Sequence, residues 1–336
     1  MSGKLVISLD FEKYWGMRDH QSIDDYRENL DNVDEVVVRL LEFFQKYEIH
    51  ATWAVVGFLF HRSQDELQEH LPKDANFYTN ASLNPYSYID QTELDPQYHF
   101  ANELIEKIAS IPHQEIASHT YSHYYCLAEG QTLDNFKEDL KLFNQVARLY
   151  GHEVQTIIFP RNQVNSDYIP LLEEYGIKAY RGNEEHYMYM PNKKPMSVIL
   201  KRALRLLDRY INISGHNTYK IEENSRVVNV RSNRFFAPYS SKLSRLEPLR
   251  LKRIKDSMTY AAKKKEIFHL WWHPHNFGRN TDDNFENLNA ILKHFTYLSN
   301  KYGMMSNNIG ELASINKNNT ATQYIAHTSN QHKTQN

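Results

Sequence analysis

The 336-residue sequence predicts a single α/β barrel of parallel strands. Short apolar runs alternate with longer segments whose apolar residues recur at helical spacing, which is typical of strands and helices in such a barrel. Acids, histidines and an arginine follow several of the apolar runs. Because the C-terminal ends of parallel strands meet at one mouth of a barrel, we expect these residues to form one site there. The barrel is expected to cover residues 1–315.

Two carboxylates follow the first apolar run. Residues 5–9 predict a buried strand, and Asp10 and Glu12 come next, on either side of Phe11. In an extended chain, residues two apart point to the same side, so both acids are expected to share a face. A helix cap followed by a first-turn acid would produce the same pattern.

Two histidines four residues apart follow a later apolar run. Residues 115–118 precede His119 and His123. One carboxylate and two neutral imidazoles form a donor set that holds a catalytic divalent metal while leaving positions open for water and substrate. A histidine pair alone means little in a chain with 17 histidines, but its combination with the strand-end acids favours a metal site.

The alternation continues to the end of the predicted barrel. Arg161 lies just beyond an apolar run at 156–159, and His273 directly follows another at 267–272. Amphipathic helices are predicted at 23–47, 133–150, 167–175 and 284–302, and further strands at 51–56 and 177–181. The order of these elements supports one barrel rather than two separate domains.

These motifs, taken in order, resemble those of the metal-dependent polysaccharide deacetylases, the NodB-homology group or carbohydrate esterase family 4. The resemblance implies a distorted seven-stranded (β/α) barrel and removal of N-acetyl groups from amino sugars. It departs from the family at Phe11, where a second Asp usually stands, and around Arg161, which is preceded by proline. No counterpart of the family's fourth motif is evident. The matching segments are 8–12, 51–57, 119–123, 159–163 and 270–274.

The resemblance also implies a ligand set for a metal ion. Glu12, His119 and His123 are expected to hold a divalent cation. Acid and imidazole ligands favour zinc, although similar sites accept cobalt, nickel, iron or manganese.

Three residues are expected to carry the acid–base chemistry. Asp10 would act as the base, although the roles of Asp10 and Glu12 could be reversed. His273 would protonate the departing amine, with His275 as the rival for this role. Arg161 would pair with Asp10 and keep it ionised.

The expected substrate is an N-acetylated saccharide or glycolipid precursor of a surface polysaccharide. Two other functions remain open: hydrolysis of a small cyclic amide or formamide, and saccharide binding by an inactive barrel. The totals of 39 Lys plus Arg and 41 Asp plus Glu do not indicate nucleic-acid binding. Because neither a signal peptide nor a long apolar run is evident, we expect a cytoplasmic protein. A peripheral position at the inner face of the membrane is left open by the basic segment 193–265.

Two insertions interrupt the barrel pattern. The first, 62–98, is rich in tyrosine. The second, 193–265, contains 19 Lys and Arg against five acids. Within it, 196–213 predicts an amphipathic helix that could contact an anionic membrane, form part of the barrel with a solvated basic side, or help to bind a diphosphate. Residues 316–336 are polar without periodicity and predict a disordered tail.

Overall fold

The computed structural model describes residues 2–72, 78–189, 198–222 and 225–316. The predicted polar tail lies outside these residues, apart from Asn316. The strands are β1 Lys4–Phe11, β2 Ala51–Val55, β3 Gln114–Ser118, β4 Thr156–Ile158, β5 Ala179–Arg181, β6 Val228–Asn229, β7 Arg234–Phe235, β8 Ile267–Trp272 and β9 Met305–Ser306. The α-helices are α1 Ile23–Asp31, α2 Val33–Lys46, α3 Gln64–Glu69, α4 Pro85–Gln91, α5 Pro96–His99, α6 Asn102–Ser110, α7 Leu133–Leu149, α8 Val198–Asp208, α9 Glu247–Lys264 and α10 Thr281–Tyr302.

The strands form one curled sheet in the order β6-β5-β4-β3-β2-β1-β8-β7, with β9 paired beside β1. Every pairing between these strands is parallel. The predicted parallel α/β barrel architecture is therefore confirmed. The described part of the chain contains nine strands rather than the seven expected, and three of them, β6, β7 and β9, have only two residues each.

A short segment joins the two edges of the curled sheet. Strand β6 pairs with β5, and after residues 230–233 the chain pairs with β8 as β7. Within this connection, the backbone N–H of Ser232 donates to Gly182 O at 2.9 Å, and that of Asn233 donates to His269 O at 3.0 Å. The connection therefore brings the C-terminal ends of β5 and β8 to the same mouth.

The helices cover the outside of the sheet with the faces that their spacing predicts. The single helix expected at 23–47 is interrupted at Asn32, whose side-chain amide donates to Gly278 O at 2.8 Å. The apolar face of α2 is buried, as its 3.6-residue period requires. Its buried residues are Val33, Val36, Val37, Leu40, Leu41 and Phe44.

The basic residues of the helix predicted in the second insertion lie partly in solvent and partly against a cavity. Arg202 on α8 is exposed, whereas Arg205 is partly buried and lines a cavity near the barrel mouth. Leu206 and Leu207 lie on the outside of α8, with about half of each side chain exposed at 44% and 50%. Of the three arrangements that the sequence left open for this helix, the one with an inward apolar face and all its cations in solvent is therefore not the one observed.

None of the described helices combines the length and apolar content that crossing a membrane requires.

Candidate active site

Glu12 lies between the two histidines of the predicted metal site. Its Oε2 atom is 2.9 Å from Nε2 of His123 and 3.3 Å from Nε2 of His119. All three side chains are buried, and their ligand atoms lie within 4.8 Å of one another. The end of β1 supplies the acid, and the loop after β3 supplies both imidazoles. The structure thus brings Glu12 together with two histidines that lie more than one hundred positions later in the chain.

The hydrogen bonding of His119 makes this group suited to a cation. Nδ1 of His119 lies 2.8 Å from the backbone oxygen of Ile158, so Nδ1 must carry the proton that is donated. In the neutral ring, Nε2 then presents a lone pair to the Glu12 carboxylate, which is also an acceptor. A shared cation would satisfy two acceptors that face each other in a buried site, and a backbone contact of this kind orients metal-binding histidines. The donor set therefore fits a divalent metal.

Burial and the contacts between Glu12 and the histidines have opposite effects on the pKa values of Glu12 and His123. Burial alone would raise the pKa of Glu12, but His273, His123 and His119 together hold it well below its usual value. Burial lowers the pKa of His123, and Glu12 only partly offsets this change. An ionised carboxylate beside a neutral imidazole is the state that binds a metal.

The loop that presents the two histidines is fixed by a buried acid on α7. Asp139 accepts hydrogen bonds from the backbone N–H groups of Tyr121 and Ser122, at 2.7 and 3.0 Å. Thr120 and His123 have positive φ angles of 63° and 56°, which non-glycine residues seldom adopt. The contacts with Asp139 thus stabilise a strained turn in which both imidazoles face Glu12.

Asp10 pairs with Arg181, a residue that the sequence motifs did not indicate. Nη1 of Arg181 is 2.6 Å from Oδ1 of Asp10, and Nη2 is 2.7 Å from Oδ2. Burial alone would raise the pKa of Asp10, but Arg181, His119 and His273 together lower it. Asp10 is therefore ionised at neutral pH and fixed in orientation. The only sequence signal for this role is an arginine at the last position of the predicted strand 177–181.

The predicted pairing of Arg161 with Asp10 is wrong. Nη2 of Arg161 instead lies 2.6 Å from Oδ1 of Asp19, and its guanidinium carbon is 4.3 Å from the centroid of the Tyr125 ring. Arg161 has a positive φ of 54° just after Pro160, which turns the side chain toward the rim. Asn162 points inward in its place and accepts a hydrogen bond from Arg181 at 2.9 Å.

His273 faces both carboxylates from the end of β8. Its Nε2 atom is 3.7 Å from Oδ2 of Asp10 and 3.6 Å from Oε1 of Glu12. The amide of Asn276 lies 3.1 Å from Nδ1. An amide offers NH₂ in one orientation and oxygen in the other. Asn276 can therefore donate to Nδ1 when that atom carries no proton, and accept from Nδ1 when it does. His273 is 23% exposed and lines the cavity.

His275, the predicted rival, is packed beneath this ring. It is 2% exposed, and its ring stacks on His273 with 5.0 Å between centroids. Burial lowers its pKa to about 3, so the ring is neutral at physiological pH. The geometry therefore favours His273 as the histidine that can reach a substrate.

A second group of possible metal ligands lies at the opposite ends of the strands. His50 and His113 immediately precede β2 and β3, and their rings stack with 3.8 Å between centroids. Nδ1 of His50 is 2.8 Å from both carboxylate oxygens of Glu311. This group is more exposed than the one at Glu12. Measurements of bound metal therefore need variants that separate the two groups.

Comparison with protein families found one match that covers nearly half of the chain. The family described as polysaccharide deacetylase matches residues 20–180, a span that includes His119 and His123. No curated protein sequence matches the chain.

Several solved structures share the architecture. A structure described as a putative polysaccharide deacetylase from Mycobacterium smegmatis is 13% identical, with a TM-score of 0.60, and the alignment covers 95% of this chain and 91% of that one. The 4-alpha-glucanotransferase of Thermococcus litoralis is 14% identical, with a TM-score of 0.53 and coverage of 94% of this chain and 40% of that one. The alpha-amylase AmyC of Thermotoga maritima is 9% identical, with a TM-score of 0.52 and coverage of 94% and 75%. At these identities, the likeness shows a common fold.

Proposed function

We propose, from the match of residues 20–180 to the polysaccharide deacetylase family, that this protein is a metal-dependent hydrolase that removes N-acetyl groups from amino-sugar units. The observation that carries the proposal is the position of Glu12. Its carboxylate contacts both histidines of the motif, and the ring of His273 lies within 4 Å on another side. A base, Asp10, and a possible acid, His273, thus adjoin one potential metal site.

Glu12, His119 and His123 would hold the cation, for which zinc is the favoured choice. When bound, a divalent metal polarises the acetyl carbonyl and lowers the pKa of a water molecule. The burial of all three ligands keeps bulk water away from the charged groups, which strengthens their interactions.

Asp10 would accept the proton of the attacking water. Arg181 occupies one acceptor position on each carboxylate oxygen, and a carboxylate has about four such positions, so Oδ2 retains a free lone pair. The lowered pKa of Asp10 keeps it ionised and ready to accept a proton. The bidentate contact with Arg181 also fixes the direction in which the lone pair points.

His273, when protonated, would donate its Nε2 proton to the departing nitrogen. Its distances of 3.7 and 3.6 Å to the two carboxylates exceed a hydrogen bond, so its Nε2 proton is not committed to either of them. Protonation of the amine completes the reaction, since acetate and a free amino sugar result from one water molecule. General acid catalysis of this type contributes roughly 10²–10⁴ in rate.

The finer part of the proposal concerns where the substrate occurs. We place the enzyme in the cytoplasm, acting on a saccharide or glycolipid precursor of a surface polysaccharide, with peripheral membrane contact through 193–265. The exposed leucines of α8 support this contact because apolar side chains beside cations suit an anionic bilayer surface. Flotation with anionic vesicles tests it: Leu206→Ser with Leu207→Ser should reduce binding, and absence of salt-sensitive binding by the parent protein would refute it.

Acetate release from N-acetylglucosamine oligosaccharides and conjugates tests the reaction. We expect release to cease with a chelator and to return when zinc or cobalt is added. Asp10→Asn should retain metal but lose turnover, whereas Glu12→Gln should lose both. Release that persists in chelator, or absence of release from protein shown to contain metal, would overturn the proposal.

The second histidine group supplies the control for metal content. His113→Ala should leave acetate release and its sensitivity to chelator unchanged. If Glu12→Gln and His113→Ala each remove one equivalent of metal, only the first loss should abolish turnover.

A further inference from the structure

The cavity that His273 shares with the second insertion is lined by arginines. Its volume is about 560 Å³, within the range of small-ligand sites. Four guanidinium groups line it, from Arg161, Arg205, Arg209 and Arg234, against the single carboxylate of Glu184. We propose that this cavity binds a phosphate or diphosphate ester attached to the acetylated sugar. This inference rests on the proposed deacetylase function and specifies its substrate class.

The acids near these arginines are already engaged. Asp208 is buried, with Oδ2 2.5 Å from Nη1 of Arg234 and Oδ1 3.6 Å from Nη2 of Arg253. One carboxylate therefore serves two guanidinium groups. Arg161 is likewise bound to Asp19 at the rim.

Glu184 adds less negative charge than its position suggests. Burial raises its pKa to about 8, which Asp208 supports and Arg234 opposes. A buried carboxyl in this state is largely protonated at neutral pH and can donate a hydrogen bond to an anion. Glu184 thus leaves most of the positive charge in the cavity uncompensated.

Arg205 and Arg209 have no carboxylate partner among the described residues. Nε of Arg205 donates to Met188 O at 2.7 Å, and the Arg209 guanidinium carbon lies 6.0 Å from the Phe235 ring centroid. Burial lowers the pKa of Arg209, and the neighbouring Arg250 and Arg234 lower it further. Removing a cation from water without a counter-ion is costly, so an anion that enters this cavity relieves that cost.

The number and type of cations favour phosphate over a single carboxylate. The two guanidinium groups without a carboxylate partner match the two or more negative charges of a phosphate or diphosphate, and a guanidinium can bind phosphate oxygens in a bidentate manner. Because Trp271 and His273 line the same cavity, the ester would lie beside the sugar whose acetyl group is removed.

Two kinds of donor carry a sugar on a diphosphate: a nucleotide and a lipid. The helix that supplies Arg205 also exposes Leu206 and Leu207, so the lipid-linked form is included as a separate experimental arm.

Binding of N-acetylglucosamine 1-phosphate, compared with N-acetylglucosamine, tests the inference. Calorimetry is done on the full-length Glu12→Gln protein, in which binding of phosphate to the active-site metal cannot contribute to the measured affinity. We expect the phosphate ester to bind at least tenfold more tightly than the neutral sugar, with an affinity that falls as salt increases. Arg209→Ala should abolish this preference, and Arg209→Lys should retain part of it. Arg202→Ala on the exposed side of α8 is the matched control and should retain all of it.

Equal affinity for the two sugars, absence of binding by the phosphate ester, or a preference unaffected by Arg209→Ala would each overturn the inference. Chelator-sensitive acetate release from neutral oligosaccharides would leave the deacetylase function standing in those cases. For the parent enzyme, kcat/KM with uridine diphosphate N-acetylglucosamine and with a short-chain prenyl diphosphate N-acetylglucosamine identifies the donor. Arg209→Ala should lower kcat/KM for the preferred donor by at least tenfold, and an unchanged value would overturn the inference.

Discussion

Arg181 binds both carboxylate oxygens of Asp10 across the interior of the barrel, at 2.6 and 2.7 Å. The two residues lie on β5 and β1, which are separated by three strands in the sheet. Arg181 has no exposed surface, and its guanidinium carbon is 4.4 Å from the centroid of the Trp271 ring on β8. A single side chain on β5 therefore contacts both the base on β1 and the neighbouring strand β8.

Replacement of Arg181 by glutamine should leave Asp10 as an unpaired buried charge. We expect the free energy of unfolding at pH 7 to fall by about 3–5 kcal/mol, as for other buried pairs that lose one partner. Without the cation, the pKa of Asp10 rises, so the acidic limb of the kcat/KM profile should move to higher pH. Urea denaturation and the pH profile measure the two effects.

Arg161→Gln is the matched control because Arg161 is 38% exposed and pairs with Asp19 at the rim. Exposed pairs of this kind contribute at most about 1 kcal/mol. The acidic limb should stay in place. An equal shift in both variants would contradict the assignment of Arg181 as the residue that controls Asp10.

Replacement of His273 by glutamine should impair amide hydrolysis more than aryl ester hydrolysis. An amine needs a proton to depart, whereas nitrophenolate departs without one. We expect a loss of roughly 10²–10⁴ in kcat for N-acetylated sugars and a much smaller loss for p-nitrophenyl acetate. His275→Gln tests the alternative, since the same selectivity in that variant alone would make His275 the acid.

Gly16→Ala should weaken metal binding. A Cβ atom at Gly16 would collide with the carboxylate of Glu12, which must move away from the two histidines. We expect at least a tenfold loss of metal affinity, typical of changes that disturb the support of a ligand. Competition with a chromophoric chelator measures the loss.

Gly151→Ala provides the opposite case. Gly151 has a φ of +80°, and no neighbouring atom lies within 4 Å of the point that a Cβ would occupy, so alanine would be strained without contacting the site. We expect this variant to lose about 1 kcal/mol of stability and to retain metal affinity. Metal binding unchanged in Gly16→Ala would show that Glu12 is not held where the structure has it.

Asp208 should make stability depend on pH below about 4. Burial alone would raise its pKa, but Arg234 and the donors of Ser214 and Tyr189 lower it to about 2. A carboxyl whose folded pKa is depressed adds stability that is complete above its unfolded pKa, about 4, and is lost as pH falls through the folded value. The difference in unfolding free energy between the parent and Asp208→Asn should therefore shrink by about 2 kcal/mol from pH 5 to pH 2. A constant difference would contradict this pairing.

The sequence alone was sufficient to predict the parallel barrel and the convergence of Asp10, Glu12, His119 and His123. These predictions depend on features that are local in sequence: apolar runs, helical periods and residues that directly follow a strand. The burial of the apolar face of α2 has the same origin, because it follows from the 3.6-residue period.

The partner of Asp10 could not be predicted in this way. Both Arg161 and Arg181 lie at or near the end of a strand, and the choice depends on a positive φ at Arg161 that turns it to the rim. The orientation of α8 was left open by the sequence for a related reason. Its period indicates an apolar side. The cavity that receives Arg205 is formed by residues at or near β5, β7 and β8, and the position of these strands relative to the helix cannot be derived from a helical pattern.

The connection at 230–233 has a consequence for inactivation by heat. Arg181 ends β5 and His273 follows β8, the strands next to the two edges of the sheet, and this connection spans the space between them. Local detachment there would let Arg181 move away from Asp10, so the base would lose its cation while the central strands remain intact. Loss of turnover on warming can thus precede the cooperative melting of the protein.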